Sequence, residues 1–196
     1  MSHYFLHDEN LKSSEYDVRY SFKGAEFHLV SDNGVFSKKR IDEGTYIFIK
    51  ALLNLQINGK VLDLGCGYGV VGITLKYFFR NIELTMSDVN SSCIDLTRKN
   101  LNKNSCEASV QLSDGFHSII GNFDYIVFNP PIRIGKEAIF KIYSDAYMHL
   151  NQNGHFLIVI RKDKGAESHK KYLETLFTKV TLIDRNRGYF VYEMIK

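Results

Sequence analysis

Apolar and polar positions along this chain fall into blocks that switch between a two-residue and a 3.6-residue period. The run Val61-Leu62-Asp63-Leu64 predicts a strand from Lys60 to Leu64, which leads into four glycines, Gly65, Gly67, Gly69 and Gly72. A helical pattern over 70–80 follows, carrying Val70, Val71, Ile73, Leu75, Tyr77 and Phe78. Next come a strand Ile82–Ser87, a helix capped by Asn90 or Ser91 that runs to about Asn102, and a short strand Ala108–Leu112. Phe123–Phe128 is almost wholly apolar, as a parallel strand buried on both faces should be. A helix over roughly 136–150 precedes the turn Asn153-Gly154 and the strand His155–Ile160, and a helix Glu167–Phe177 comes after. The last two strands, Lys179–Asp184 and Tyr189–Ile195, are separated by a short connection at Gly188, so they must pair antiparallel.

Ahead of this alternation, Tyr16–Lys23 and Glu26–Val30 flank the turn Lys23-Gly24-Ala25 and read as a β-hairpin. Ser31-Asp32-Asn33-Gly34 is a second turn signal, and Asp42 caps a helix with Ile47, Phe48, Ala51, Leu52 and Leu55 on one face. The whole predicts an α/β protein: a doubly wound, Rossmann-like, mostly parallel seven-stranded sheet with an antiparallel C-terminal strand and edge, plus an N-terminal hairpin extension. One domain is expected over 1–196, with the extension in 1–40 and the core in 41–196.

Composition narrows the setting. The chain of 196 residues is 44% hydrophobic and 24% charged, and no window approaches the ~18 apolar residues of a membrane span. Met1-Ser2-His3-Tyr4 lacks the basic-then-apolar build of a signal peptide. Cys66, Cys93 and Cys106 have no C-x-x-C spacing and suit free thiols, so a cytoplasmic location is expected. The net charge of +3 does not by itself indicate nucleic acid, but the bases cluster, as in Lys38-Lys39-Arg40 and Arg161-Lys162. His3 and His7 have i, i+4 spacing at the N-terminus and the other histidines form no motif, so no metal is expected.

Ligands of open α/β sheets bind beyond the carboxyl ends of the strands. The predicted strands end in the glycine loop, at Asp88, at Asp114, at Asn129-Pro130-Pro131-Ile132 and at Arg161, so polar groups gather on one rim. Gly67-Tyr68-Gly69-Val70-Val71-Gly72 fits the dinucleotide pattern G-x-G-x-x-G, with Asp88 as its ribose acid, which keeps an NAD-dependent oxidoreductase open. Asp63, just before the loop, instead suits a cationic group such as an amino-acid ammonium. Both prolines of the chain sit in Asn129-Pro130-Pro131-Ile132. They make a rigid loop that leaves the Asn129 side-chain oxygen and the Pro130 carbonyl as acceptors, suited to gripping an exocyclic NH2 group.

Val61–Gly72, Asp88, Asp114 and Asn129–Ile132 together resemble a class I S-adenosylmethionine-dependent methyltransferase of the amino-methylating kind. Gly34-Val35-Phe36-Ser37, Ile41-Asp42-Glu43-Gly44-Thr45, Arg133 with Gly135-Lys136, and Arg187-Gly188-Tyr189-Phe190 extend the resemblance to the 16S ribosomal RNA guanine-N2 methyltransferase family. Longer members of that family carry an additional methyltransferase-like half, and this chain resembles the stand-alone form. The resemblance implies S-adenosylmethionine as cofactor and RNA, ribosomal RNA or a ribosomal subunit, as partner. It implies that Asp63, Gly65, Cys66, Gly67 and Gly69 form the cradle for the methionine end. Asp88 would meet the ribose, with Val89 also counted in the cofactor site, and Asp114, Gly115 and Phe116 would meet the adenine. Asn129 and Pro130, with Pro131 and Ile132 beside them, would hold the target amine. Arg133, Lys136, Arg161 and Lys162 are candidates for phosphate contacts, and Phe36 for stacking on the base. Adenine N6 and a protein glutamine amide remain alternative targets of the same chemistry, and a non-catalytic cofactor-binding module is a third class.

Overall fold

A computed structural model of the chain describes residues 14–33 and 40–196. Phe36, and with it the expected stacking contact, lies outside the described residues, as do Gly34, Val35, Ser37, Lys38, Lys39, His3 and His7.

The elements are β1 (Tyr16–Phe22), β2 (Ala25–Ser31), α1 (Glu43–Leu52), β3 (Lys60–Leu64), α2 (Val70–Phe78), β4 (Glu83–Asp88), α3 (Ser91–Lys103), β5 (Ser109–Leu112), β6 (Phe123–Phe128), α4 (Lys136–Met148), β7 (Leu150–Arg161), α5 (Ala166–Leu176), β8 (Lys179–Asn186) and β9 (Tyr189–Ile195). β1 and β2 pair antiparallel as a separate hairpin, and the other strands form one sheet in the order β5-β4-β3-β6-β7-β9-β8. β3 through β7 are parallel, and β9 runs antiparallel to both β7 and β8.

Two details depart from the sequence expectation. β7 begins at Leu150 rather than after Asn153-Gly154; the chain passes Asn153 at φ 62, and the register against β6 shifts between Phe123 and Tyr125. The antiparallel strand is also not the edge, because β9 is inserted between β7 and β8. Burial explains this order. β9 buries Val191, Tyr192 and Met194, whereas β8 has no fully buried position, so the more apolar strand takes the interior place.

Side chains alternate across the sheet into two cores. Val61, Val127, Leu157, Val159 and Val191 pack with α1, α2, α3 and the hairpin. Leu62, Leu64, Ile126, Phe128, Phe156 and Ile158 pack with α4 and α5. The hairpin is tied down by α3. Asn100, fully buried, accepts from Val30 N at 2.7 Å and donates to Val30 O at 2.8 Å. One turn on, Asn104 donates to His28 O at 2.9 Å. Side-chain amides thus imitate a neighbouring strand along β2 and satisfy backbone groups that burial would otherwise leave costly.

Candidate active site

Strand order reverses between β3 and β6, since β4 and β5 extend one way from β3 while β6 and β7 extend the other. That switch point is where a doubly wound sheet opens a crevice. Leu64 pairs with Phe128 across it, so Gly65 and Asn129 are the next residues out on either side. A Cβ built on Gly65 would lie 3.6 Å from Phe128 Cε2, which places the glycine loop hard against the end of β6.

The glycine loop divides into a ligand-facing part and a bracing part. Gly65 (φ 66) and Gly67 (φ 58) both need positive φ, and a Cβ at Gly67 would meet no atom within 4 Å among the described residues. Gly67 therefore presents open backbone, and Gly65 is exposed beside the Phe128 ring. Gly69 is instead buried as the N-cap of α2, and a Cβ there would meet Ile73 Cδ1 at 2.9 Å. Cys66 is turned inward too: its N–H donates to Ser87 O at 2.9 Å and its thiol lies 3.6 Å from Thr97 Oγ1. Burial pushes the Cys66 thiol well above the ordinary range, so it is a neutral filler and not a cradle side chain. Thr97 Oγ1 donates to Gly67 O at 2.9 Å and Asn100 to Tyr68 O at 2.8 Å, so α3 holds the loop from behind. Neither α3 residue stands out in the sequence, because each looks like an ordinary polar helix position.

The three carboxylates sit differently. Asp63 is only 3% exposed, and its Oδ2 accepts from Gly72 N at 2.8 Å, joining β3 to the first turn of α2. Burial pushes Asp63 up to about 7, with the nearby Asp88 charge adding to the shift and the Gly72 bond opposing it. Asp88 is half-buried at the end of β4, with Oδ2 accepting from Gly67 N and Oδ1 from Asn90 N, both at 2.9 Å. These bonds, with further ones from Val89 N and the Cys93 thiol, fix its orientation, and burial holds its carboxyl above the ordinary range. Asp114 is exposed beyond β5, and the neighbouring Ser113 N bonds Asp88 O at 2.9 Å, which joins the two loops. Val89, 39% exposed, adds an apolar surface between them. Phe116 departs from expectation: its ring is buried and stacks on His149 at 4.6 Å, so core packing takes the ring and leaves the loop backbone at the rim.

Across the crevice, Pro131 caps a single 3-10 turn over Ile132–Ile134. Its bonds run from Ile134 N to Pro131 O and from Gly135 N to Ile132 O, so the turn does not use the Pro130 carbonyl. Ile132 is half-buried against the α4 core. Asn129 Nδ2 donates to Thr45 Oγ1 at 3.0 Å, which brings the start of α1 into the site. Tyr189, opening β9, forms the adjoining wall: a Cβ on Gly44 would lie 2.7 Å from its ring. Burial and then the Asp42 charge hold the Tyr189 phenol above its ordinary range. Arg133, Lys136, Arg161 and Lys162 are all exposed, at and just beyond the ends of β6 and β7, with Arg161 paired to Asp163 at 3.0 Å.

Fold and rim together define a Rossmann-like protein whose switch point is framed by acids, a glycine loop and the Asn129–Pro131 turn. The family model described as methyltransferase small domain matches residues 26–193, and this chain belongs to that family. The uncharacterized protein YbxB of Bacillus subtilis is 33% identical over 192 residues, covering 96% of each chain. Ribosomal RNA small subunit methyltransferase C of Haemophilus influenzae is 40% identical over 130 residues, which is 64% of this chain and 39% of that one. Among solved structures, the T. thermophilus 16S rRNA N2 G1207 methyltransferase in complex with AdoMet and guanosine superposes with a TM-score of 0.84 at 24% identity, over 95% of this chain and 52% of that chain. The match thus covers 52% of the T. thermophilus enzyme, 39% of the H. influenzae one and 96% of YbxB.

Proposed function

We propose that this chain methylates the exocyclic amine of a nucleobase in RNA, using S-adenosylmethionine, with guanine N2 of ribosomal RNA as the target. The observation that carries the reading is the position of Asn129 and Pro130, one and two residues past β6, at the switch point where Gly65 follows Leu64 on the adjacent strand. The residues fit the cofactor. Gly65 and Gly67 leave room against the backbone, Asp63 suits the ammonium, Asp88 the ribose hydroxyls, Val89 and the Gly115–Phe116 backbone the adenine face, and Asp114 its amino group. When bound, S-adenosylmethionine supplies a methyl group on a positively charged sulfur.

This chain's own residues then have three tasks. Asn129 Oδ1 and the Pro130 carbonyl accept from the two N–H groups of the target, which draws its lone pair out of conjugation and aims it. The same acceptors stabilise the positive charge that grows on nitrogen. The crevice excludes a paired base, so the target must be unpaired or flipped out, and Tyr189 and Ile132 offer surfaces for it. The spent proton leaves to water. Arg133, Lys136, Arg161 and Lys162 meet the phosphates. Among the described residues no helix is long and apolar enough to cross a membrane, and all three cysteines are free, which supports a cytoplasmic setting.

The test is transfer of labelled methyl from S-adenosylmethionine to naked ribosomal RNA and to intact subunits, with the product base identified by mass spectrometry. N2-methylguanine is expected; label on adenine or on a protein amide would redirect the substrate assignment, and preferential calorimetric binding of NAD would overturn the class.

A further inference from the structure

An asparagine that grips an amine must present its oxygen, yet the two ends of a carboxamide are nearly the same size and exchange by a half-turn of one torsion. Something must hold the NH2 end away from the substrate. The contact that does so is made by Thr45, 7% exposed in the first turn of α1, whose Oγ1 lies 3.0 Å from Asn129 Nδ2. The Thr45 hydroxyl has one proton, and it is directed to Asp42 Oδ2. With that proton committed, Thr45 toward Asn129 can only accept. Asp42 Oδ1 meanwhile accepts from Thr45 N at 3.0 Å, so the carboxylate both caps α1 and sets the direction of the chain of bonds.

We propose that Thr45 is a positioning residue which, polarised by Asp42, locks the Asn129 carboxamide with its oxygen toward the substrate amine. This rests on reading the site as an amine methyltransferase. Helix capping alone accounts for Asp42 and the Thr45 N–H, but it has no use for the contact between the Thr45 hydroxyl and Asn129.

Capping and polarity separate in two substitutions. Thr45→Ser keeps the hydroxyl, while Thr45→Val keeps the shape and removes it. Asp42→Asn keeps an equally good cap. Its NH2 end, however, then faces Thr45, whose freed proton can serve the Asn129 oxygen and release the lock. Thr45→Val and Asp42→Asn are each expected to lower kcat roughly 10- to 100-fold, the scale of a small misalignment at the reacting atoms. KM for RNA and the Kd for S-adenosylmethionine should stay within about twofold, Thr45→Ser should remain near wild type, and the double variant should lose no more than either single one. The second readout needs no activity. The Asn129 side-chain NH2 signal, assigned by its loss in Asn129→Ala, should exchange slowly with water in the wild type and in Thr45→Ser, and quickly in Thr45→Val. Equal exchange in wild type and Thr45→Val, or an undiminished kcat in Thr45→Val, overturns the proposal. A wild type that shows slow exchange but methylates no RNA amine overturns the function and leaves the lock standing.

Discussion

Asn129 and Asp63 show how a single position at this rim can be tested. Removing the Asn129 acceptor by Asn129→Ala should cost about 3–4 kcal/mol in the chemical step, by analogy with losing one preorganised group that stabilises developing charge. The loss should fall on kcat, with cofactor affinity by calorimetry nearly unchanged. Asp63 predicts a pH dependence. Its folded pKa of about 7 lies above the ordinary value of 3.8, so between these the folded chain holds a proton that the unfolded chain releases. Asp63 therefore costs stability as pH rises through that window, and a bound ammonium offsets the cost by favouring the carboxylate. S-adenosylmethionine affinity should then rise from pH 5.5 to 7.5, by at most tenfold per unit, with proton release below pH 7. Asp63→Asn, which can still accept from Gly72 N, should flatten the profile; an unchanged slope would remove Asp63 from the ammonium site. Sequence alone placed Asp63, Asp88 and Asn129 correctly at strand ends, because strand length and breakers are local signals. It could not foresee that the Phe116 ring turns inward or that Cys66 packs on Thr97, since which side of a loop faces the core depends on the elements behind it.

At the scale of elements, α3 is the clearest case of a role hidden from the sequence. Its cap and extent were legible, but Asn100 and Asn104 only acquire meaning once the hairpin, about 70 residues earlier, is laid against them. Asn100→Ala strips partners from Val30 N, Val30 O and Tyr68 O together, so it should destabilise by about 3 kcal/mol, at the upper end for buried groups left unpaired. Urea unfolding would measure this, and Asn104→Ala, at a half-buried site, should cost less. Gly72 gives a contest of opposite signs. Gly72→Ala gains about 1 kcal/mol in helix propensity. Its Cβ, however, would meet Met86 Cε at 2.6 Å and Asp63 Oδ2 at 2.9 Å. Overpacking of about 1–3 kcal/mol should win, giving a net loss in unfolding free energy. A stabilised variant would mean that Met86 shifts freely and that the Asp63 brace does not depend on a bare backbone at Gly72.

Across the whole molecule, the arrangement that matters is the meeting of distant strand ends, and here local reading reaches its limit. Each strand end was visible in the sequence, but the position of β9 between β7 and β8 was not, because it depends on competition between two strands for an interior place. That insertion sets Tyr189 beside Arg161 and the start of α1, while Arg133, Lys136 and Lys162 are exposed on the segments that follow β6 and β7. The Arg161–Asp163 pair is exposed on both sides, so giving it up for a phosphate costs little. If these four cations meet the RNA backbone, binding should weaken with salt, and removing any one of these charges should lower the slope of log K against log salt by about 0.7 for single-stranded RNA. Changing all four to glutamine should therefore reduce the slope by about 3, while calorimetric binding of S-adenosylmethionine, whose proposed site is the glycine loop, stays as it was. A slope that does not change would move the RNA to another face of the molecule and leave the methyl-transfer site without its proposed phosphate grip.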